Sequence, residues 1–248
     1  MTRRRKRSAG MVAAICTVGI ALSGCGKSDD KQDKQDGSAS PASAASSSAA
    51  PASPGGGGKN GAKEVLPQLP SAAQARTELG KLTVAAQRSM SGYSRAAFPH
   101  WAQQGDKCDT RETVLARDGQ DVKKDDQCRA VSGTWYSLYD GKTFTKASQV
   151  DIDHIVPLAN AWRSGADQWT TEKRKQFAND LTHPQLLTVS AATNRSKGDQ
   201  GPDQWQPPAK DAWCVYGRAW TSVKSTYGLT VTDGEKKMLD TMLGTCRS

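Results

Sequence analysis

The stretch Val150-Asp151-Ile152-Asp153-His154-Ile155-Val156-Pro157-Leu158 combines a strand pattern with side chains that hydrolytic enzymes use. Apolar and acidic residues alternate as far as His154, which predicts a β-strand with Asp151 and Asp153 on the same face. Pro157 has no backbone N–H for a strand ladder, so we expect the strand to stop there. A carboxylate beside an imidazole that titrates near neutral pH is typical of metal-assisted hydrolysis.

A second polar motif, Asn194-Arg195-Ser196-Lys197-Gly198-Asp199, follows a second predicted strand at residues 186–189. Ser190 is a suitable N-cap for a helix that would contain this motif. The segment between the two strands, residues 158–181, is predicted to be mostly helical with a break at Gly165. The sequence therefore predicts the order strand, helical insertion, strand, helix.

The flanking segments have patterns of their own. Residues 71–90 predict a helix, and residues 118–126 are so polar that we expect a surface loop. Residues 131–144 predict a hairpin, since Asp140-Gly141 is a turn signal between runs of strand-forming residues. Two further helices are predicted near the C-terminus, at residues 211–227 and 233–243.

Together, the motifs that contain His154 and Asn194 resemble the HNH, or ββα-metal, nuclease module, and they closely match the HNH domain of RNA-guided CRISPR nucleases. Residues 93–246 resemble exported HNH-family proteins related to the C-terminal part of GmrSD-type restriction enzymes. This wider similarity rests on Cys108-Asp109-Thr110-Arg111, Trp162-Arg163-Ser164-Gly165-Ala166, Phe177-Ala178-Asn179-Asp180 and Trp205-Gln206-Pro207-Pro208. The resemblance implies an α+β fold, in which a ββα core has a helical insertion and additional N- and C-terminal helices.

The same resemblance implies an endonuclease that hydrolyses phosphodiester bonds of nucleic acid, with DNA as the expected substrate. His154 would be the general base, and Asp153 and Asn194 would hold one divalent cation. Oxygen ligands favour Mg²⁺ or Mn²⁺ over Zn²⁺, which prefers nitrogen and sulfur. Candidates for supporting or phosphate-binding roles are Asp151, Gln185, Arg195, Lys197 and Arg111.

One position departs from the family pattern. The family usually has an asparagine at the start of the second strand, where it shapes the loop that holds the catalytic histidine. This chain has Gln185 at that place, and Asn179 is a second candidate for the supporting role.

The N-terminal residues 1–25 predict a lipoprotein signal peptide. A basic run, Arg3-Arg4-Arg5-Lys6-Arg7, precedes an uncharged stretch at residues 11–22 that is too short to span a membrane. Leu22-Ser23-Gly24-Cys25 resembles the bacterial lipobox, which implies lipidation of Cys25 and anchoring at the outer face of the cell membrane. We expect no transmembrane helix in the mature protein; an ordinary signal peptide is the alternative.

The remaining chain divides by composition. Residues 26–70 are rich in Ser, Ala, Pro and Gly and are predicted to be a disordered linker. Residues 71–248 are predicted to form one disulfide-stapled domain, which we expect to be a monomer. Without the five basic residues of the signal, 29 of the 34 Lys and Arg remain against 25 Asp and Glu. The resulting charge of +4 gives no strong electrostatic footprint for nucleic acid.

Of the six cysteines, Cys16 lies in the predicted signal and Cys25 in the lipobox, which leaves an even number for the domain. An even count in an exported domain favours disulfides, and three pairings are possible. We favour the local ones, which join Cys108 to Cys128 and Cys214 to Cys246. A zinc site is the rival, but the sequence has no C-x-x-C spacing and no nearby histidine pair.

Two other functions compete with the nuclease. One is a non-catalytic envelope lipoprotein that binds nucleic acid or another polymer on an HNH scaffold; the intact His154, Asp153 and Asn194 argue against it. The other is a serine hydrolase that uses His154, but the sequence has no G-x-S-x-G motif and offers no evident serine partner.

Overall fold

The computed structural model describes residues 66–247. The predicted signal peptide, Cys25 and most of the predicted linker lie outside the described residues. Leu66 is only 2% exposed, and the carbonyl of Pro70 accepts hydrogen bonds from the guanidinium of Arg218. Leu66 and Pro70 therefore pack against the domain, although composition predicts them to be linker.

The described part is a mixed α+β structure, which confirms the predicted class. Its α-helices are α1 (Ala72–Lys81), α2 (Thr110–Asp118), α3 (Leu158–Arg163), α4 (Thr171–Ala178), α5 (Ala191–Lys197), α6 (Trp213–Tyr227) and α7 (Asp233–Gly244). Its strands are β1 (Gln103–Gly105), β2 (Cys108–Asp109), β3 (Gly119–Lys124), β4 (Ala130–Ser137), β5 (Lys142–Phe144), β6 (Val150–His154) and β7 (Leu186–Ser190). They form three small antiparallel sheets, β1–β2, β3–β4–β5 and β6–β7.

Strands β6 and β7 and helix α5 form a compact unit. The strands pair antiparallel, with His154 opposite Leu186. Ser190 ends β7 and caps α5, because its side chain accepts the N–H of Thr193. Gly198 ends the helix at a φ of 55°, in the left-handed region where glycine has no steric penalty. Since α5 packs against both strands, the two polar motifs lie side by side.

Two apolar clusters support this unit from different sides. The larger one contains Tyr216 and Trp220 of α6. The smaller one lies between α2, β4 and the β6–β7 sheet, where Val150, Ile152 and Trp135 meet. The apolar residues of β6 thus face the smaller cluster, whereas its two aspartates face α5.

Of the predictions for the flanking segments, the structure confirms some and contradicts others. The hairpin around Asp140-Gly141 and the break at Gly165 are confirmed. The helix predicted for residues 71–90 is wrong beyond Lys81, where the chain is extended and forms a parallel bridge to Val231. The predicted loop at residues 118–126 is wrong for β3, a strand whose polar side chains stay largely in solvent while its backbone pairs with β4.

Disulfides join Cys108 to Cys128 and Cys214 to Cys246, so the local pairing is confirmed. The second bridge ties the start of α6 to the residues after α7. Among residues 66–247, none of the helices is both long and apolar enough to cross a membrane.

Candidate active site

A pocket of about 290 Å³ lies where β6 ends and α5 passes beside it. Asp153, His154 and Asn194 all line this pocket. Asp153 and Asn194 are 41 positions apart in the sequence. The loop before β1 contributes Tyr93 and Arg95 as a further wall. Neither of these two residues belongs to a recognisable motif, so sequence reasoning missed them.

Asp153 is 4% exposed and is fixed from two directions. The Tyr139 hydroxyl donates to its Oδ2 at 2.5 Å, and the Lys197 ammonium donates to its Oδ1 at 2.9 Å. Burial raises the pKa of Asp153, and the neighbouring Lys197 charge opposes that rise. Both contacts hold the carboxylate in one orientation at the pocket wall.

Lys197 is completely buried. Its Nζ also donates to the carbonyl of His154 at 2.9 Å, so it joins α5 to the end of β6. Burial lowers the pKa of Lys197, and Asp153 acts in the opposite direction. Of the two roles predicted for Lys197, its position fits support of Asp153 and contradicts contact with phosphate, because a fully covered ammonium cannot reach a ligand.

His154 is 5% exposed, and its Nε2 lies 2.9 Å from the carbonyl oxygen of Ala178. A carbonyl oxygen can only accept a hydrogen bond, so Nε2 bears the proton of the neutral ring and Nδ1 has the free lone pair. Burial lowers the pKa of His154 to about 3, against the opposing effect of the Ala178 contact. The ring is therefore neutral at physiological pH.

Asn194 and Asp151 meet across the pocket edge. The Nδ2 of Asn194 donates to Oδ2 of Asp151 at 3.2 Å, which directs the amide oxygen of Asn194 away from that carboxylate. Within residues 66–247 there is no group of three or more His, Cys, Asp or Glu side chains placed to hold a metal ion. The oxygen donors that line the pocket are the carboxylates of Asp153 and Asp199 and the amide oxygen of Asn194. Oxygen donors of this kind are the ligands that Mg²⁺ or Mn²⁺ prefers.

Gln185 fixes the loop that follows His154. It is fully buried, and its amide bonds both backbone groups of Val156, accepting from N–H at 3.1 Å and donating to the carbonyl at 3.0 Å. Its own carbonyl accepts the N–H of Ile155 at 2.7 Å. The longer side chain of Gln185 thus reaches the loop after His154, at the position where the HNH resemblance predicts an asparagine.

Asn179 holds a different segment. It accepts the N–H of Ala102 at 2.8 Å and donates to the carbonyl of Pro99 at 2.7 Å. Between these contacts Trp101 adopts a φ of 58°, a conformation that a tryptophan keeps only when its surroundings impose it. The Trp101 ring lies 5.7 Å from the His154 ring, so this turn covers the imidazole.

The two arginines predicted near the site do not line the pocket. Arg111 contacts the carboxylate of Glu112 and the carbonyl of Ala147. Arg195 is exposed on α5. Helix α5 turns Asn194 and Lys197 toward β6, and the intervening Arg195 points elsewhere because adjacent helical positions face different directions.

Comparison with known proteins identifies the family. The family described as the C-terminal domain of GmrSD restriction endonucleases matches residues 109–242. The chain belongs to this family. An uncharacterized secreted protein of Arthroderma benhamiae is 55% identical over 180 residues, which is 73% of this chain and 88% of that protein. No solved structure matches. Asp153, His154 and Asn194 fall inside the stretch shared with the GmrSD C-terminal family, which suggests a nuclease-type function.

Proposed function

We propose that the chain is an HNH-type endonuclease that hydrolyses phosphodiester bonds of DNA with one divalent cation, Mg²⁺ or Mn²⁺. The observation that most supports this proposal is a neutral, oriented His154 in the same pocket as Asp153 and Asn194. The family described above adds the nuclease-type chemistry.

His154 would act as the general base. A base must be unprotonated at the working pH and must present its lone pair to the attacking water. Burial meets the first condition, and the Ala178 carbonyl meets the second by holding the proton on Nε2. When Nδ1 takes the proton from water, the same carbonyl stabilises the imidazolium. General-base catalysis of this kind contributes roughly 10²- to 10⁴-fold.

Asp153 and Asn194 would hold the cation, with Asp151 orienting the amide of Asn194. When bound, the cation would stabilise the negative charge that develops on the phosphate and on the leaving oxygen. Tyr139 and Lys197 keep Asp153 in place. Gln185 keeps the loop after His154 in place.

We further propose that the protein is exported and tethered through a lipid on Cys25 at the outer face of the bacterial membrane. The lipobox sequence supports the lipid tether, whereas the two disulfides and the secreted relative support export alone. The second candidate, a non-catalytic envelope protein that binds nucleic acid or another polymer, would share the pocket but not the hydrolysis.

A plasmid assay separates the two. We expect full-length protein to nick supercoiled plasmid in Mg²⁺ or Mn²⁺, to stop in EDTA, and to lose at least about 100-fold of its rate in His154→Ala. His100→Ala is the matched control, because His100 contacts the Phe98 carbonyl and does not line the pocket. Absence of nicking with every divalent cation would favour the binding protein, and equal nicking by His154→Ala would remove His154 as the base.

A further inference from the structure

Arg95 is an exposed cation at the pocket that none of the sequence motifs explains. It lines the same cavity as Asp153, His154 and Asn194, although it lies 58 positions before the first of them. Among residues 66–247, its guanidinium has no carboxylate within salt-bridge distance. It is therefore a charged group with access to whatever enters the pocket.

The backbone under Arg95 is firmly held. Ser94 caps the short 3₁₀ turn Arg95–Ala97, and the carbonyl of Arg95 accepts the N–H of Phe98 at 3.1 Å. The next residues are anchored too, since Phe98 is fully buried and Arg174 donates to the carbonyl of Ala97 at 2.9 Å. A side chain on a fixed support loses less freedom when it binds a ligand.

The acidic groups of the pocket leave the charge of Arg95 unneutralised. Asp199 also lines the pocket but pairs with Arg163 at 2.6 Å, and Asp153 pairs with Lys197. An anionic ligand in the pocket would thus meet one uncompensated guanidinium, whose planar fork matches the geometry of phosphate oxygens.

We propose that Arg95 binds a phosphate group of the nucleic acid in this pocket, an inference that rests on the proposed function for its substrate class. Arg95 also precedes residues 109–242, the stretch that matches the family. The phosphate contact thus comes from a segment outside the motif-bearing part of the chain. The motif residue Arg195, by contrast, is exposed but outside the pocket, which makes it a matched control.

Binding in the absence of cleavage tests this directly. Full-length His154→Ala protein is titrated in EDTA into a fluorescein-labelled 12-nucleotide single strand and into the matching duplex, and the Kd is read by fluorescence anisotropy. We expect Arg95→Ala to weaken binding about 5- to 10-fold, Arg195→Ala less than about 2-fold, and Arg95→Lys to recover part of the loss. Unchanged melting temperatures would show that each variant folds.

Salt dependence distinguishes a phosphate contact from a structural effect. Loss of one phosphate contact should lower the slope of log Kd against log salt by about 0.7 for the single strand and about 0.9 for the duplex. The inference is overturned if Arg95→Ala keeps both the Kd and the slope, or if the protein binds neither probe. Plasmid nicking is scored separately, so Arg95-dependent binding without any nicking would contradict the endonuclease but not the phosphate contact.

Discussion

Two buried lysines flank Trp220, and each forms an ion pair with a buried carboxylate that has a different role. The Nζ of Lys197 lies 5.9 Å from the Trp220 ring and that of Lys224 lies 5.8 Å from it. Both lysines are fully buried. Lys197 pairs with Asp153 at 2.9 Å, and Lys224 pairs with Glu235 at 3.2 Å.

The two ion pairs differ in their surroundings. Lys224 has three further acceptors, Asn160, Ser164 and Thr230, at 2.6–2.9 Å, and Glu235 completes the capping box of α7. This pair is closed and structural.

Within residues 66–247, Lys197 has only the His154 carbonyl as an acceptor besides Asp153, and Asp153 lines the pocket. The same ion-pair chemistry therefore stabilises a helix junction in one place, the closed pair, and holds a carboxylate at the wall of the pocket in the other, the open pair.

The largest difference should appear in activity. Asp153→Asn and Glu235→Gln each remove one charge and keep the shape of the side chain. We expect Asp153→Asn to lower the rate of plasmid nicking about 10³-fold, equivalent to about 4 kcal/mol of transition-state stabilisation. Glu235→Gln should stay within about 3-fold at a temperature where it is folded. Similar losses in both variants would erase the distinction between the open and the closed pair.

The two lysines should also differ in how a divalent cation affects their loss. Lys197→Met and Lys224→Met each leave a buried carboxylate unpaired, so each should lose about 3–5 kcal/mol of unfolding free energy in EDTA. A divalent cation on Asp153 can replace the lost charge of Lys197 but not that of Lys224. In urea denaturation, Mn²⁺ at about 100 times its Kd should return up to about 2.7 kcal/mol to Lys197→Met. Absence of a gain in Lys197→Met would contradict cation binding at Asp153, and Lys224→Met should gain no more than wild type.

The central part of the fold could be predicted because its signals are local. Alternation from Val150 to His154, the cap at Ser190 and the glycine at 198 each fix a backbone choice within a few residues, and the structure follows them. The strand β3 was missed because pairing with β4, not its own polar sequence, makes it a strand. Tertiary contacts override weak local preferences in this way.

The pocket was only half predictable for a related reason. His154 and Asn194 lie in dense motifs, whereas Arg95 lies in a short turn without a motif. That turn is held in part by Arg174, which is distant in the sequence and donates to the carbonyl of Ala97. Sequence spacing alone was also compatible with two roles for Lys197, support of the site and contact with phosphate. Only its burial, together with the direction of α5, shows that it faces Asp153 and not a ligand.

Lowering the pH from 7 to 5 should destabilise the protein through the titration of His154 and not through that of Lys224. The pKa of His154 falls from 6.5 in the unfolded chain to about 3 when buried. Between these values the unfolded state binds a proton that the folded state does not, so stability decreases as the pH falls. In EDTA, wild type should lose about 2 kcal/mol more than His154→Gln between pH 7 and pH 5.

Lys224 itself contributes nothing to this slope, because burial lowers the pKa of Lys224 only to about 8 and its titration lies above this range. The slope is measured for wild type and His154→Gln by urea denaturation at each pH. An equal slope in wild type and His154→Gln would mean that the imidazole is solvated or already charged in the folded protein. That result would also undermine its role as a neutral base, since both conclusions depend on the same burial.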